Sequence, residues 1–183
     1  MKRVTTPAMI AAAATMPIFA NVPRDDLVSL LTPAHVARFE GGDTLFTQGS
    51  NADSILVLIE GSVDILVRGG SGIDRPIAHL GEGAVLGETS LLTGAPHSAT
   101  ARATELTQAL QVPYERLHRM READEQAAHR VIYNVARILA QRLRDADAEL
   151  ADLCDRAQGA IAEDDLERLR RIFFAEWGTS SRH

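Results

Sequence analysis

Apolar positions recur at helical spacing over the first stretch of the chain, and then the period shortens to two. Met9, Ile10 and Ala13 share one face of a short helix expected from Pro7 to Met16, with Pro7 at its first position. Pro17-Ile18-Phe19 closes it and offers Ile18 and Phe19 as anchors on a core. A second short helix near Pro23 gathers Leu27, Leu30 and Leu31 on one side. Thr32-Pro33 reads as a further restart, a capping hydroxyl before a first-position proline. From Val36 the segments are short and strand-like: Val36 to Phe39, Thr44 to Thr47, Ser54 to Glu60, Ser62 to Arg68 and Ile77 to Leu80. Ile55, Val57 and Ile59 alternate with Leu56, Leu58 and Glu60, so that strand is expected to be buried on both faces, as in a sandwich or small barrel. Val63, Ile65 and Val67 alternate with Ser62, Asp64, Leu66 and Arg68, a half-exposed neighbour. Two more strands are expected over His97 to Ala103 and Thr107 to Val112, and Pro113 opens a helix from Tyr114 to Met120.

The punctuation between these strands is glycine. Eleven of the 13 glycines lie between positions 41 and 94, a density that marks tight corners. The period then lengthens again. A helix expected from about Glu125 to about Ala157 carries Ala128, Ile132, Val135, Leu139, Leu143, Ala146, Leu150, Leu153 and Ala157 on one stripe. This is a heptad seam with one wide step between Leu139 and Leu143, and its later part needs a partner helix, most simply a twofold mate. Gly159 breaks the seam, and a last amphipathic helix from about Glu163 to Trp177 presents Leu166, Leu169, Phe173 and Trp177.

Composition narrows the function. The 183 residues are 45% apolar, enough for one real core, and the net charge of −6 argues against free nucleic acid as the main partner. Cys154 is the single cysteine, which excludes an intrachain disulfide and a cysteine-rich zinc cluster and fits a reducing compartment. Met1-Lys2-Arg3 and the apolar run after it have the outline of a weak export signal, but Pro7 and Pro17 interrupt it; the cytoplasm is the expected location. No run is long enough to span a bilayer. The histidines fall at no metal-ligand spacing, no serine shows a histidine–aspartate relay, and a haem would lack a clear second ligand to His97, so neither a metal site nor catalysis is expected.

The stretch with chemistry in it is LGETSLLTGAPHSATARA, Leu86 to Ala103. A glycine before a helix start leaves backbone N–H groups available to an anion, and Glu88 sets a carboxylate beside them for hydroxyl groups. After a Gly94-Ala95-Pro96 corner, His97 and Ser98 return towards the same place. The segment reads as a cradle for a small anionic ligand.

Four passages together resemble the cyclic nucleotide-binding domain, and within it the catabolite activator family of bacterial regulators. They are MPIFANVPRDDLVSLL, FEGGDTLFTQGSNADSILVLIEGSVDIL, IAHLGEGAVLGETSLLTGAPHSATARA and VIYNVARILAQRLRDAD. The resemblance implies a mainly β fold with flanking helices, an eight-stranded jelly-roll or β-roll, followed by a long dimerisation helix. The expected divisions are residues 1–16, an N-terminal helical extension; 17–124, the β-roll; 125–157, the long helix; and 158–183, a short amphipathic helix and tail. The resemblance also implies a cyclic nucleotide, cAMP or cGMP, as ligand. Glu88 would take the ribose hydroxyl, Gly87, Thr89 and Ser90 the turn, and Ser98 the phosphate. His97 stands where the family has arginine, a permanent bidentate cation, so phosphate binding is expected to be weakened. Arg102, five residues further along the strand, faces away and is not a substitute. Arg142 is a candidate contact from the long helix, or simply a solvated charge.

Two functions follow as expectations. One is a stand-alone regulatory domain that senses a nucleotide-like anion, moves a hinge near Arg121 to Gln126 and relays the change through its C-terminal helix to a protein partner, as a homodimer. The other is an interaction or scaffold module whose degenerate pocket binds no cyclic nucleotide; a dimer-poisoning relative of a transcription factor is a third variant. After the long helix about thirty residues remain, room for one helix and not for a helix-turn-helix, so no DNA contact and no membrane contact are expected.

Overall fold

A computed structural model describes residues 2–3, 6–70 and 72–156, the ends 2–3 and 153–156 by backbone alone. The chain forms two compact units, residues 1–138 and 139–183. The terminal helix expected over 163–177 and the side chain of Cys154 lie outside the described residues.

The first unit opens with β1 (Lys2–Arg3) and α1 (Pro7–Ala14), whose first turn is capped by Thr6: its Oγ1 accepts the Met9 N–H at 3.4 Å. A 3-10 turn over Pro17–Phe19 and α2 (Arg24–Leu31) follow. Ile10, Ala13, Ile18, Phe19, Leu27, Leu30 and Leu31 are all buried, on the faces their spacing predicts. Thr32 does not restart a helix. It ends α2, with its hydroxyl donating back to the Val28 carbonyl at 2.8 Å, and only Pro33 and the buried Ala34 separate it from the next strand.

The strands are β2 (His35–Phe39), β3 (Thr44–Phe46), β4 (Ser54–Glu60), β5 (Val63–Arg68), β6 (Asp74–Leu80), β7 (Val85–Leu86), β8 (Thr100–Ala103) and β9 (Thr107–Pro113). They form two antiparallel sheets, β1-β2-β9-β4-β7 and β3-β8-β5-β6. Eight strands thus make the roll and the two-residue β1 extends one edge. The core between the sheets is built on Leu56, Leu58, Val63, Leu86, Ala101 and Ala109, with Phe39, Leu45, Phe46 and Ile65 packed against it. Ile55 and Val57 alternate with Leu56 and Leu58 and are buried on the opposite face of the five-stranded sheet, as the doubly apolar strand requires. Helix α4 (Tyr114–Glu122) packs on β4 and β9 there.

Two local differences from the sequence expectation bear on the site. Val85 and Leu86 form the edge strand β7, within an apolar triplet between Gly83 and Gly87 too short to show a period, pairing with Val57 and Leu56 respectively. The strand expected from His97 begins only at Thr100, because His97 exchanges its backbone bonds with a turn: its N–H donates to the Ser50 carbonyl at 3.0 Å and its carbonyl accepts from the Gly49 N–H at 2.8 Å.

Helix α5 (Gln126–Arg156) is reached through Ala123, Asp124 and Glu125, with Asp124 in the left-handed region at φ 56°. In its first turns Ala127, Ala128, Val131, Asn134 and Val135 are buried, while Ile132 is only half-buried. The face packed on the rest of the unit is therefore turned towards Val131, and the seam through Ile132 flanks it. Asn134 holds this packing from inside: its side-chain amide donates to the Ile18 carbonyl at 3.0 Å and the Ala20 carbonyl at 2.9 Å. Truncation strands two acceptors in a buried place, so Asn134→Ala is expected to lower unfolding free energy by about 2–3 kcal/mol in urea titrations; a loss below about 0.5 kcal/mol would show that water satisfies those carbonyls. In the second unit α5 runs on with Leu143 54% exposed, and Gln141 donates to Asp145 at 2.7 Å. Among the described residues no helix is long and apolar enough to cross a membrane.

Candidate ligand-binding turn

β7 delivers the chain to Gly87, which caps α3 (Glu88–Thr93) at φ +80°. Glycine is required there twice over. The positive φ disfavours any side chain, and a β-carbon would stand 2.8 Å from the Ser54 carbonyl oxygen and 2.9 Å from the Tyr114 hydroxyl. No side chain caps α3, and the first amides of a helix have no partner within it, so the turn presents N–H groups at its start. Glu88 and Ser90 are buried on α3, whereas Thr89 is exposed.

Gly94 ends α3 in the left-handed region and the chain returns through Ala95 and Pro96 to His97. His97 is 8% exposed. Its ring stacks on Phe46, centroids 3.9 Å apart and planes 8° apart, and its Cε1 would lie 3.7 Å from a β-carbon on Gly87. Burial holds this imidazole below the ordinary histidine range, and the Asp53 carboxylate draws it only partly back. His97 is thus an uncharged aromatic face beside the turn at neutral pH. Of the residues expected to form the cradle, Gly87, Glu88, Ser90 and His97 converge, while Thr89 and Ser98 are exposed to solvent. Arg102 is exposed on β8, in line with its alternation, and Arg142 lies in the second unit.

One participant was not foreseen. Tyr114, the first residue of α4, is buried and its hydroxyl donates to the Gly87 carbonyl, which also accepts from the Leu91 N–H at 3.1 Å. Burial pushes the phenol pKa up, the Glu88 and Asp53 carboxylates add to this, and a hydrogen bond with Ser90 offsets part of it. Tyr114 therefore stays protonated and tethers α4 to the turn. The only hint in the sequence was a phenol directly after Pro113, which alone reads as ordinary packing. Among the described residues no cluster of histidine, cysteine and carboxylate side chains could hold a metal ion.

A roll of two antiparallel sheets is thus interrupted by a glycine-led helical turn with a buried glutamate. The sequence profile of the cyclic nucleotide-binding domain matches residues 36–124. The cyclic AMP receptor protein of Thermus thermophilus is 30% identical over 156 residues, 85% of this chain and 70% of that protein. The crystal structure of the Thermus thermophilus catabolite activator protein superposes with TM-score 0.61 at 31% identity, covering 75% of this chain and 62% of that one. Glutaminase 1 of Bradyrhizobium diazoefficiens is 28% identical over 137 residues, 75% of this chain but only 22% of the enzyme. The chain belongs to the cyclic nucleotide-binding domain family, and its β-roll is the one that the sequence resemblance implied.

Proposed function

We propose that this protein is a regulatory domain that binds a cyclic nucleotide, cAMP or cGMP, at the turn led by Gly87. The observation that carries the reading is the buried Glu88 carboxylate next to a left-handed Gly87, with His97 packed across the same turn. Glu88 would take the ribose hydroxyl, the amides of residues 87–90 the phosphate, with Thr89 and Ser98 as flanking hydroxyls. The fit is good at the ribose end and incomplete at the phosphate end, where a neutral imidazole replaces a permanent cation. A ligand that pulls on the turn acts on Tyr114 through the Gly87 carbonyl, and so on α4, the Ala123–Glu125 bend and α5. To shift α5 the ligand must bind its two positions with different affinity. The half-buried Ile132 and the exposed Leu143 support pairing of two copies along this helix, with the output passing to a protein partner.

Calorimetric titration with cAMP and cGMP at pH 6 and at about pH 7.5 tests the reading, and His97 gives it a sign. A phosphate beside the imidazole raises its pKa from the depressed value of the free protein, so binding takes up a proton. Affinity is expected to rise as pH falls from 7.5 to 6, by up to about tenfold per unit. The free protein responds in the opposite sense. Its folded-state His97 pKa is lowered from 6.5, so the unfolded chain is protonated first and stability is lost as pH falls below that value. No heat at millimolar nucleotide at either pH sinks the sensor reading. It would favour the second one, a scaffold or interaction module with a degenerate pocket, for which the uncharged His97 stacked on Phe46 is the supporting observation.

A further inference from the structure

A cavity lies between the end of α3 and α4. It has a volume of about 580 Å3, within the range of small-molecule sites. One wall is the end of α3 and the corner after it, with Leu92, Ala95 and Pro96; the other is α4, which contributes His118 and Arg121. Asn51, from the loop before β4, closes one end. Ser90 and Tyr114 form the partition: both line this cavity, and the Tyr114 hydroxyl reaches through to the Gly87 carbonyl. Gly87, Glu88 and His97 are not part of its lining; what it shares with the nucleotide turn is Ser90 and Tyr114.

Its chemistry is one-sided. Among the described residues the lining includes Arg121 and a histidine but no aspartate or glutamate, in a chain whose net charge is −6. His118 and Arg121 are three apart on α4 and therefore neighbours on one face of the helix. Opposite them Leu92 is 43% exposed, a large apolar side chain beside a cationic edge. An apolar surface facing a guanidinium and an imidazole, with an amide at one end, matches an organic anion whose ring or chain lies on Leu92 and Pro96 and whose carboxylate meets Arg121. We propose that this groove is a second binding site, for a small organic carboxylate with an apolar body. Because its two walls belong to the nucleotide turn and to α4, a molecule held there bridges the elements that Tyr114 already ties together.

The test is an isotope-labelled full chain titrated with naphthoate, followed by amide chemical shifts. Saturable shifts are expected at Gly94, Ala95 and Arg121. Arg121→Ala should weaken the probe at least about tenfold, the loss of one charge-assisted contact. Ala95→Trp, at an exposed position, should block it sterically without disturbing the fold. Naphthylmethanol, with the ring and no charge, should bind at least about tenfold more weakly. The proposal is overturned if millimolar naphthoate gives no saturable shifts, if the shifts centre on Gly87 and His97, or if the alcohol binds as well as the acid.

Discussion

Replacing Gly61 by alanine is expected to destabilise the protein by about 3–5 kcal/mol, the sum of a left-handed backbone penalty and a clash that cannot relax. Gly61 turns the corner between β4 and β5 at φ +83°. A β-carbon there would meet the Leu106 carbonyl oxygen at 2.4 Å, the Thr107 hydroxyl oxygen at 2.6 Å and the Thr107 α-carbon at 2.8 Å. Two of these atoms are backbone. The third is fixed as well, since the Thr107 hydroxyl lies 3.1 Å from the Ser62 carbonyl oxygen and 3.0 Å from that of Glu105. Gly83 provides the control. Its φ is +81°, yet nothing lies within 4 Å of its β-carbon position. Gly83→Ala should therefore cost only the backbone penalty, about 1–2 kcal/mol. Urea denaturation of the two variants measures the difference, and equal losses would mean that the β4–β5 corner has room to give.

The second large effect is a gain. His97→Arg is expected to raise cAMP affinity by about 30- to 1000-fold, the worth of one charge-assisted phosphate contact in a partly buried site. The backbone at 97 is held by Gly49 and Ser50 and does not depend on the side chain. Phe46, now stacked on the imidazole, can equally support a planar guanidinium. Without nucleotide the same substitution buries a cation, so the free protein should melt earlier than wild type and recover on adding ligand. His97→Gln controls for shape, since a polar neutral group brings no such gain. Calorimetry decides: an unchanged affinity in the arginine variant would show that residue 97 does not face the phosphate.

Much of the fold can be read from the residues because its physical requirements are local. Five apolar residues in a row, from Ile55 to Ile59, demand burial on two faces, and in β4 Ile55 to Leu58 are buried. The glycine before Glu88 announces a left-handed helix start, and that is how Gly87 is built. What stays hidden depends on contacts distant in sequence. Tyr114 acquires its role from Gly87, 27 residues earlier, and no local pattern encodes that pairing. The charge state of His97 depends on how deeply it is buried, which its identity alone does not state. Ile132 and Val131 are adjacent apolar residues on one helix, and only the surface they pack against decides that Val131 takes the interior.

The Asn134 amide has a mechanical consequence. It ties the base of α5 to the carbonyls of Ile18 and Ala20, more than a hundred residues away in sequence. A swing of the helix must either break both buried bonds or carry the Pro17–Ala20 segment with it. If α5 moves with both bonds kept, the two form a single lever turning about Ala123–Glu125, where Asp124 has a left-handed backbone angle. Because β1 is paired to β2 of the roll, α1 would then have to take up the movement between a fixed strand and a displaced Pro17–Ala20 segment.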